Sequence, residues 1–206
     1  MHTRPLTPCR EPLPVICAAL VLAAGRGRRF GSDKRQARLP SGQTLLGATL
    51  AQVLMHFEQV MVVLRPGDDP QQLGIDERVS IIWAERAEDG MGASLAAGIV
   101  ALSPTPAEAV AVLLADMPWM APDTLQQLHA QARRERIVLP LYQGQRGHPV
   151  IFGRTFWPAL AQVRGDQGGR QVIQDNPQDC RKVEVEDAGV VLDVDVPGDV
   201  LRGSSL

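Results

Sequence analysis

A chain of 206 residues, 45% hydrophobic and 21% charged, has enough apolar content for a real core and most simply forms one domain with tails. A net charge of −2 excludes a global attraction for nucleic acid or an anionic membrane, so any basic site is local. Three cysteines (Cys9, Cys17 and Cys180) form no CxxC pair, and no apolar run reaches the roughly 18–20 residues that span a bilayer, so the expectation is a cytoplasmic protein with reduced thiols.

Residues 1–14 carry Pro5, Pro8, Pro12 and Pro14 and read as a disordered, proline-rich tail. The apolar run that follows has the length of a secretion h-region. The crowded prolines argue against that, and cleavage after Ala24 would remove the first strand of the domain. Residues 15–22 therefore read as a buried strand. A helix follows at 44–57, a strand at 60–64 closed by Pro66-Gly67, and a strand at 79–83. Next come a helix at 92–102, a strand at 110–115 and a helix at 122–136 with Pro122 in its first turn. Strands at 137–142 and 148–152 flank a glycine turn, helical stretches are expected at 155–163 and 169–175, and late strands at 182–185 and 190–194. This alternation predicts an α/β fold: one Rossmann-like domain over residues 15–202, its mostly parallel sheet covered by helices on both faces, with 203–206 as a tail. Such sheets bind ligands at the carboxyl ends of their strands.

The loop after the first strand reads AAGRGRRFGSDKRQARLPSG. Gly25, Gly27 and Gly31 suggest a dinucleotide turn, but such a turn opens directly into a helix, and Pro40 and Gly42 delay the first helix to about Thr44. A long irregular loop in a compact domain tends to be functional. This one carries Arg26, Arg28, Arg29, Lys34, Arg35 and Arg38 among small residues. Backbone N–H groups and cations together suit a triphosphate; the plainer reading is a solvated basic loop. No GK[ST] is present, so it is not a Walker loop.

Asp116 directly follows the apolar strand VAVLLA, where a metal ligand or a turn-capping carboxylate would sit. Asp193 and Asp195 end another apolar run before Pro197, and carboxylates from two distant segments converging on one hydrated cation are ordinary for magnesium.

The stretch LAAGRGRRFGSDK resembles the glycine-rich signature of nucleotidyltransferases, most closely the molybdopterin cytidylyltransferase and guanylyltransferase branch that acts on molybdenum cofactor. GMGASLAAGI, LLADMPWM, GQRGHPVIF, GDQGGR and DVDVPGDV match in order, over roughly residues 16–201. Gly27 and Phe30 depart from the Ser and Met common in the signature, and Arg35-Gln36 stand where apolar residues are common. The resemblance implies a nucleotide-diphospho-sugar transferase-like fold and transfer of a nucleotidyl group to a phosphate, with release of pyrophosphate. It implies a nucleotide site at Leu22, Ala23, Ala24, Gly25, Gly27, Arg29, Lys34, Ser94 and Asp116, with Lys34 and Arg29 on the triphosphate and magnesium held by Asp116 and Asp195. Arg26, Arg28 and Arg38 are left as surface charges. The second substrate would meet His148 and Pro149 of the GHP element, and Asp166, Gly168 and Arg170 of GDQGGR; a structural His148 remains the alternative. Ala24 resembles the cytidylyl enzymes, since the guanylyl enzymes tend to carry glycine there, so CTP is favoured.

The implied partners are a nucleoside triphosphate, a molybdopterin-type cofactor and a molybdenum dehydrogenase that receives the product. Three alternatives stay open: transfer from GTP or to a sugar phosphate, an NADP-dependent oxidoreductase, and a non-enzymatic cofactor chaperone.

Overall fold

The computed structural model describes residues 15–25 and 30–205; the expected tail at 1–14, with Gly27 and Arg29, lies outside them. The elements run β1 (Cys17–Leu22), α1 (Leu45–Val53), β2 (Val60–Leu64), β3 (Ser80–Trp83), α2 (Met91–Leu102), β4 (Ala109–Leu114) and α3 (Pro122–Ala130). They continue with β5 (Ile137–Tyr142), β6 (Gln145–Arg146), β7 (Val150–Gly153), α4 (Trp157–Leu160), α5 (Arg170–Asp175) and β8 (Cys180–Glu184). The strands form one sheet in the order β3-β2-β1-β4-β7-β5-β6, with β8 also paired to β5. β3, β2, β1 and β4 are parallel; β7 is inserted antiparallel between β4 and β5, and β8 runs parallel to β5.

Every residue of β1 is buried, because both faces of the sheet are covered. Ala19 and Val21 point into a core shared with Leu46, Leu50 and Val53 of α1 and with Leu125 and Leu128 of α3. Ala18, Leu20 and Leu22 point the other way, toward Leu95, Ile99 and Leu102 of α2 and Trp157 and Leu160 of α4. The step from β1 to β2 and the step from β3 back to β4 run in opposite directions along the sheet. Right-handed crossovers then place α1 and α2 on opposite faces. Thr44 starts α1: its hydroxyl accepts from the Gly47 N–H at 3.0 Å and donates to the Leu73 carbonyl at 2.7 Å.

Four expected elements differ. The helix expected at 44–57 ends at Val53, where the Met55 and His56 N–H groups donate to the Gln52 and Val53 carbonyls, three residues back instead of four. The helix expected to reach residue 136 stops at Ala130, because the Arg134 and Arg136 carbonyls accept from Thr155 and Gly153 beside β7 instead of continuing a helical ladder. The helix expected at 155–163 shrinks to α4, preceded by a 3-10 turn over Arg154–Phe156. Residues 190–194 are not a strand. Asp187 accepts from the Gly189 N–H at 2.8 Å and forms a tight turn, after which the chain is tied to its neighbours by single backbone bonds.

Cys17 and Cys180 are free thiols, and burial pushes Cys17 up to about 12. Among the described residues no helix is long and apolar enough to cross a membrane.

Candidate active site

The strand order reverses at β1 and β4, and the chain leaves their carboxyl ends in opposite directions, which opens a crevice there. Leu22 pairs with Leu114, so Ala24 and Asp116 each stand two residues past that last rung. The expected nucleotide residues Leu22, Ala23, Ala24, Gly25, Lys34, Ser94 and Asp116 line one cleft of about 520 Å³ at this point. Met91, Gly90 and Glu88, at and before the start of α2, complete its wall together with Asp166. The dinucleotide alternative needed a helix directly after the glycines; among the described residues the first α-helix begins at Leu45.

Lys34 sits in a single 3-10 turn, Lys34–Gln36, and its ammonium reaches across the crevice. It donates to Asp116 Oδ2 at 2.5 Å and to the Val194 carbonyl at 3.2 Å, and lies 3.8 Å from Asp195 Oδ1. Val194 also donates its N–H to the Asp116 carbonyl at 3.0 Å, so one residue straps the C-terminal segment to the end of β4. Its side chain is fully buried with Leu45 and Val200 in a small cluster, against which Phe30, Ala37 and Leu39 of the long loop pack. That cluster brings the loop, β4 and the 193–199 segment to one place. Asp199, itself buried, accepts from the N–H groups of Asp195 and Val196 at 3.0 Å each and so sets the turn that presents Asp195.

The donor set suits a hard divalent cation. Asp116 Oδ1 is buried and has no hydrogen-bond partner among the described residues. The Asp193 carboxyl is pushed upward by burial and by the charges of Asp116 and Asp195, so negative charge is in excess. Among the described residues no group of three or more His, Cys, Asp or Glu is gathered as a cage. Magnesium does not need one, since it keeps several waters and takes substrate phosphates with one or two carboxylates.

A second cleft, of about 510 Å³, lies on the other side of Leu114, which lines both. Arg146, His148, Arg170 and Asp193 wall it. Burial pulls His148 below the ordinary histidine value, against the opposing pull of a backbone bond to Val112 and the charges of Asp116 and Asp193, so the imidazole is neutral at pH 7. The expected second-substrate residues are therefore divided. His148 and Arg170 face the second cleft; Asp166 lines the first; Gly168 packs toward Met91, where a Cβ at position 168 would lie 3.3 Å from its Sδ; and Pro149 is buried beside His148, joined to it by a cis peptide bond.

The model of the MobA-like NTP transferase domain matches residues 19–183. The chain belongs to this family. It is a nucleotidyltransferase of the MobA-like kind, with the fold of the nucleotide-diphospho-sugar transferases. It is 28% identical over 186 residues to the purine catabolism protein PucB of Bacillus subtilis, covering 85% of this chain and 90% of that one. It is 24% identical over 184 residues to the molybdenum cofactor cytidylyltransferase of Escherichia coli, covering 88% and 92%. Among solved structures, Rv0371c of Mycobacterium tuberculosis superimposes with a TM-score of 0.78 at 27% identity, covering 93% of this chain and 98% of that one. A manganese complex of the same protein matches with a TM-score of 0.71 at 25% identity, covering 90% and 92%.

Sequence reasoning missed Gly90, Met91, Glu88 and Arg35 in the first cleft and Arg146 in the second. Arg35 stood among the loop cations, Arg146 in GQRGHPVIF and Met91 in GMGASLAAGI, which opens on Gly90. Gly90 has a φ of 102°, and a Cβ there would meet Asp166 Oδ1 at 2.5 Å and the Gly165 carbonyl carbon at 2.6 Å. Gly90→Ala is expected to weaken nucleotide binding about tenfold, with roughly 1–3 kcal/mol lost from stability, because the start of α2 must move off the 164–166 turn. Nucleotide titration by calorimetry beside a thermal melt measures both, and unchanged affinity would contradict this account of the wall.

Proposed function

We propose that this MobA-like NTP transferase transfers CMP from CTP to the phosphate of a molybdopterin-type cofactor, with magnesium, and releases pyrophosphate. The observation that carries this reading is the pair of clefts meeting at Leu114. One offers Lys34 and Asp116 to a triphosphate; the other offers two guanidinium-bearing side chains, Arg146 and Arg170, to a second anion.

In this reaction an oxygen of the acceptor phosphate attacks the α-phosphorus of CTP. The bond from that phosphorus to the bridging oxygen of pyrophosphate breaks, and pyrophosphate leaves with the electron pair. The acceptor phosphate is already ionised at pH 7, so no general base is required. Catalysis then rests on positioning and charge neutralisation between two anions. Lys34, held by Asp116 and Val194, is placed to turn to the triphosphate oxygens. Arg146 and Arg170 orient the acceptor phosphate, and the neutral His148 shapes the cleft beside them without adding a charge of its own. Asp116 and Asp195 would hold the divalent cation, which supplies charge neutralisation at the phosphates; the manganese complex of Rv0371c supports a cation of this class. For the base, Ala24 is buried in the wall of the first cleft, and its methyl narrows the space against a purine. The similarity to the Escherichia coli cytidylyltransferase supports the same choice.

The experiment is pyrophosphate release from CTP, GTP, UTP or ATP, each with molybdopterin-type cofactor or a sugar phosphate, with magnesium or with EDTA. Release with CTP and the cofactor, abolished by EDTA, is expected. Preference for GTP would move the chain to the guanylyl branch, and turnover with the sugar phosphate alone would overturn the acceptor.

A further inference from the structure

Arg35 stands beside Lys34 in the same short turn, yet it is 3% exposed where a phosphate-binding cation would face solvent. All five of its guanidinium N–H donors are used. Nε and Nη2 donate to Asp33 at 2.8 and 2.5 Å, Nη1 and Nη2 donate to Asp68 at 2.5 and 2.7 Å, and Nη1 also donates to the Ala23 carbonyl at 2.8 Å. No donor is left for a substrate. Arg65 closes the network from the other side, donating to Asp33 at 2.9 Å and to Asp68 at 3.0 Å. The Ala23 N–H in turn donates to the Val63 carbonyl at 3.0 Å, so Ala23 is held from both sides at the very end of β1.

The network thus joins three things at known distances: the floor of the nucleotide cleft at Ala23, the turn after β2 at Asp68, and the turn that bears Lys34. We propose that Arg35 is a positioning residue. Its guanidinium, clamped between Asp33 and Asp68, anchors the Lys34 turn to the Ala23 carbonyl and so aims the Lys34 ammonium at Asp116. A short 3-10 turn has little stability of its own. Without the anchor nothing in the turn itself would hold Lys34 across the crevice. A lysine at position 35 cannot replace the anchor, because three donors on a compact head cannot span two carboxylates and a carbonyl. For turnover the inference rests on the proposed function; for the placement of Lys34 it does not.

The test exploits composition: the chain has only two lysines, Lys34 and Lys182. Labelling with 13C-lysine therefore gives two ε-methylene signals, with exposed Lys182 expected at the free-lysine position and Lys34 away from it. R35M/D68N removes the guanidinium together with one of its carboxylates. R35K keeps the charge, should the double variant fold poorly. In either folded variant the Lys34 signal is expected to move to the free-lysine position. Turnover with CTP should fall about tenfold in kcat with less than a threefold change in KM, since the loss is felt in the transition state. A Lys34 signal that stays in place in a folded variant overturns the inference. If the signal moves while the wild type turns over no nucleotide, the positioning role stands and the proposed function fails.

Discussion

Asp116→Asn is expected to lower kcat by about 10²–10³-fold while moving the melting temperature by only a few degrees. The substitution keeps the size of the side chain and leaves the backbone bond from the Val194 N–H to the residue-116 carbonyl intact. What it removes is charge. Asp116 Oδ1 is buried without a partner, and Oδ2 faces the Lys34 ammonium. An amide offers a cation one neutral oxygen, and it can present an N–H₂ to Lys34 in place of an acceptor. Under the proposed function this carboxylate would hold the cation that neutralises the reacting phosphates, and weakening that electrostatic stabilisation is expected to cost about 2–4 kcal/mol, which sets the range. Initial rates of pyrophosphate release at saturating CTP and magnesium measure it. A kcat within threefold of the wild type would remove Asp116 from the chemistry and turn the reading toward a cofactor-binding protein without turnover.

Lys34→Ala is expected to cost a similar factor in kcat/KM and to show a second signature. The ammonium lies between Asp116 and Asp195, 2.5 and 3.8 Å from their oxygens, and both its own side chain and that of Asp116 are largely buried. Its removal leaves the Asp116 and Asp195 carboxylates without the cation that lies between them. The folded state should therefore melt lower in EDTA than the wild type and gain more from added magnesium or manganese, since a ligand that binds only the native state stabilises it by mass action. Lys34→Arg should recover less than a tenth of the lost activity, because a planar guanidinium does not fit the place of a compact ammonium held by one carboxylate oxygen and one carbonyl. Melting curves that respond to magnesium just as the wild type does would contradict the placement of Lys34 beside the proposed cation site.

The sheet was readable from the chain because burial on both faces writes itself as uninterrupted apolar runs. CAALVL, VMVVL and VAVLL were each recognisable, and each ends where solvent and small or polar residues begin. Asp116 was readable for the same reason, as the first charge after the β4 run. The 190–194 segment misled because its valines serve different clusters: Val190 packs in the core around α1 and α3, whereas Val194 packs with Leu45 and Val200. An apolar run signals burial; it does not show that the backbone finds a ladder partner.

From sequence alone came the order of strands and helices from β1 to β8 apart from the short β6, the glycine- and cation-rich loop at the end of the first strand, and the residue types of the site. These follow from local patterns of hydrophobicity and turn chemistry, which neighbouring residues determine. Only the tertiary structure separated Lys34 from Arg35, adjacent cations in one loop. One reaches across to Asp116, and the other is consumed by Asp68, 33 residues further along the chain. Only the tertiary structure divided Asp166 from Arg170 between two clefts and brought Asp195 to Lys34. The charge of a side chain is a property of the sequence. Whether that charge faces a ligand or a buried partner depends on which distant segment the fold sets against it.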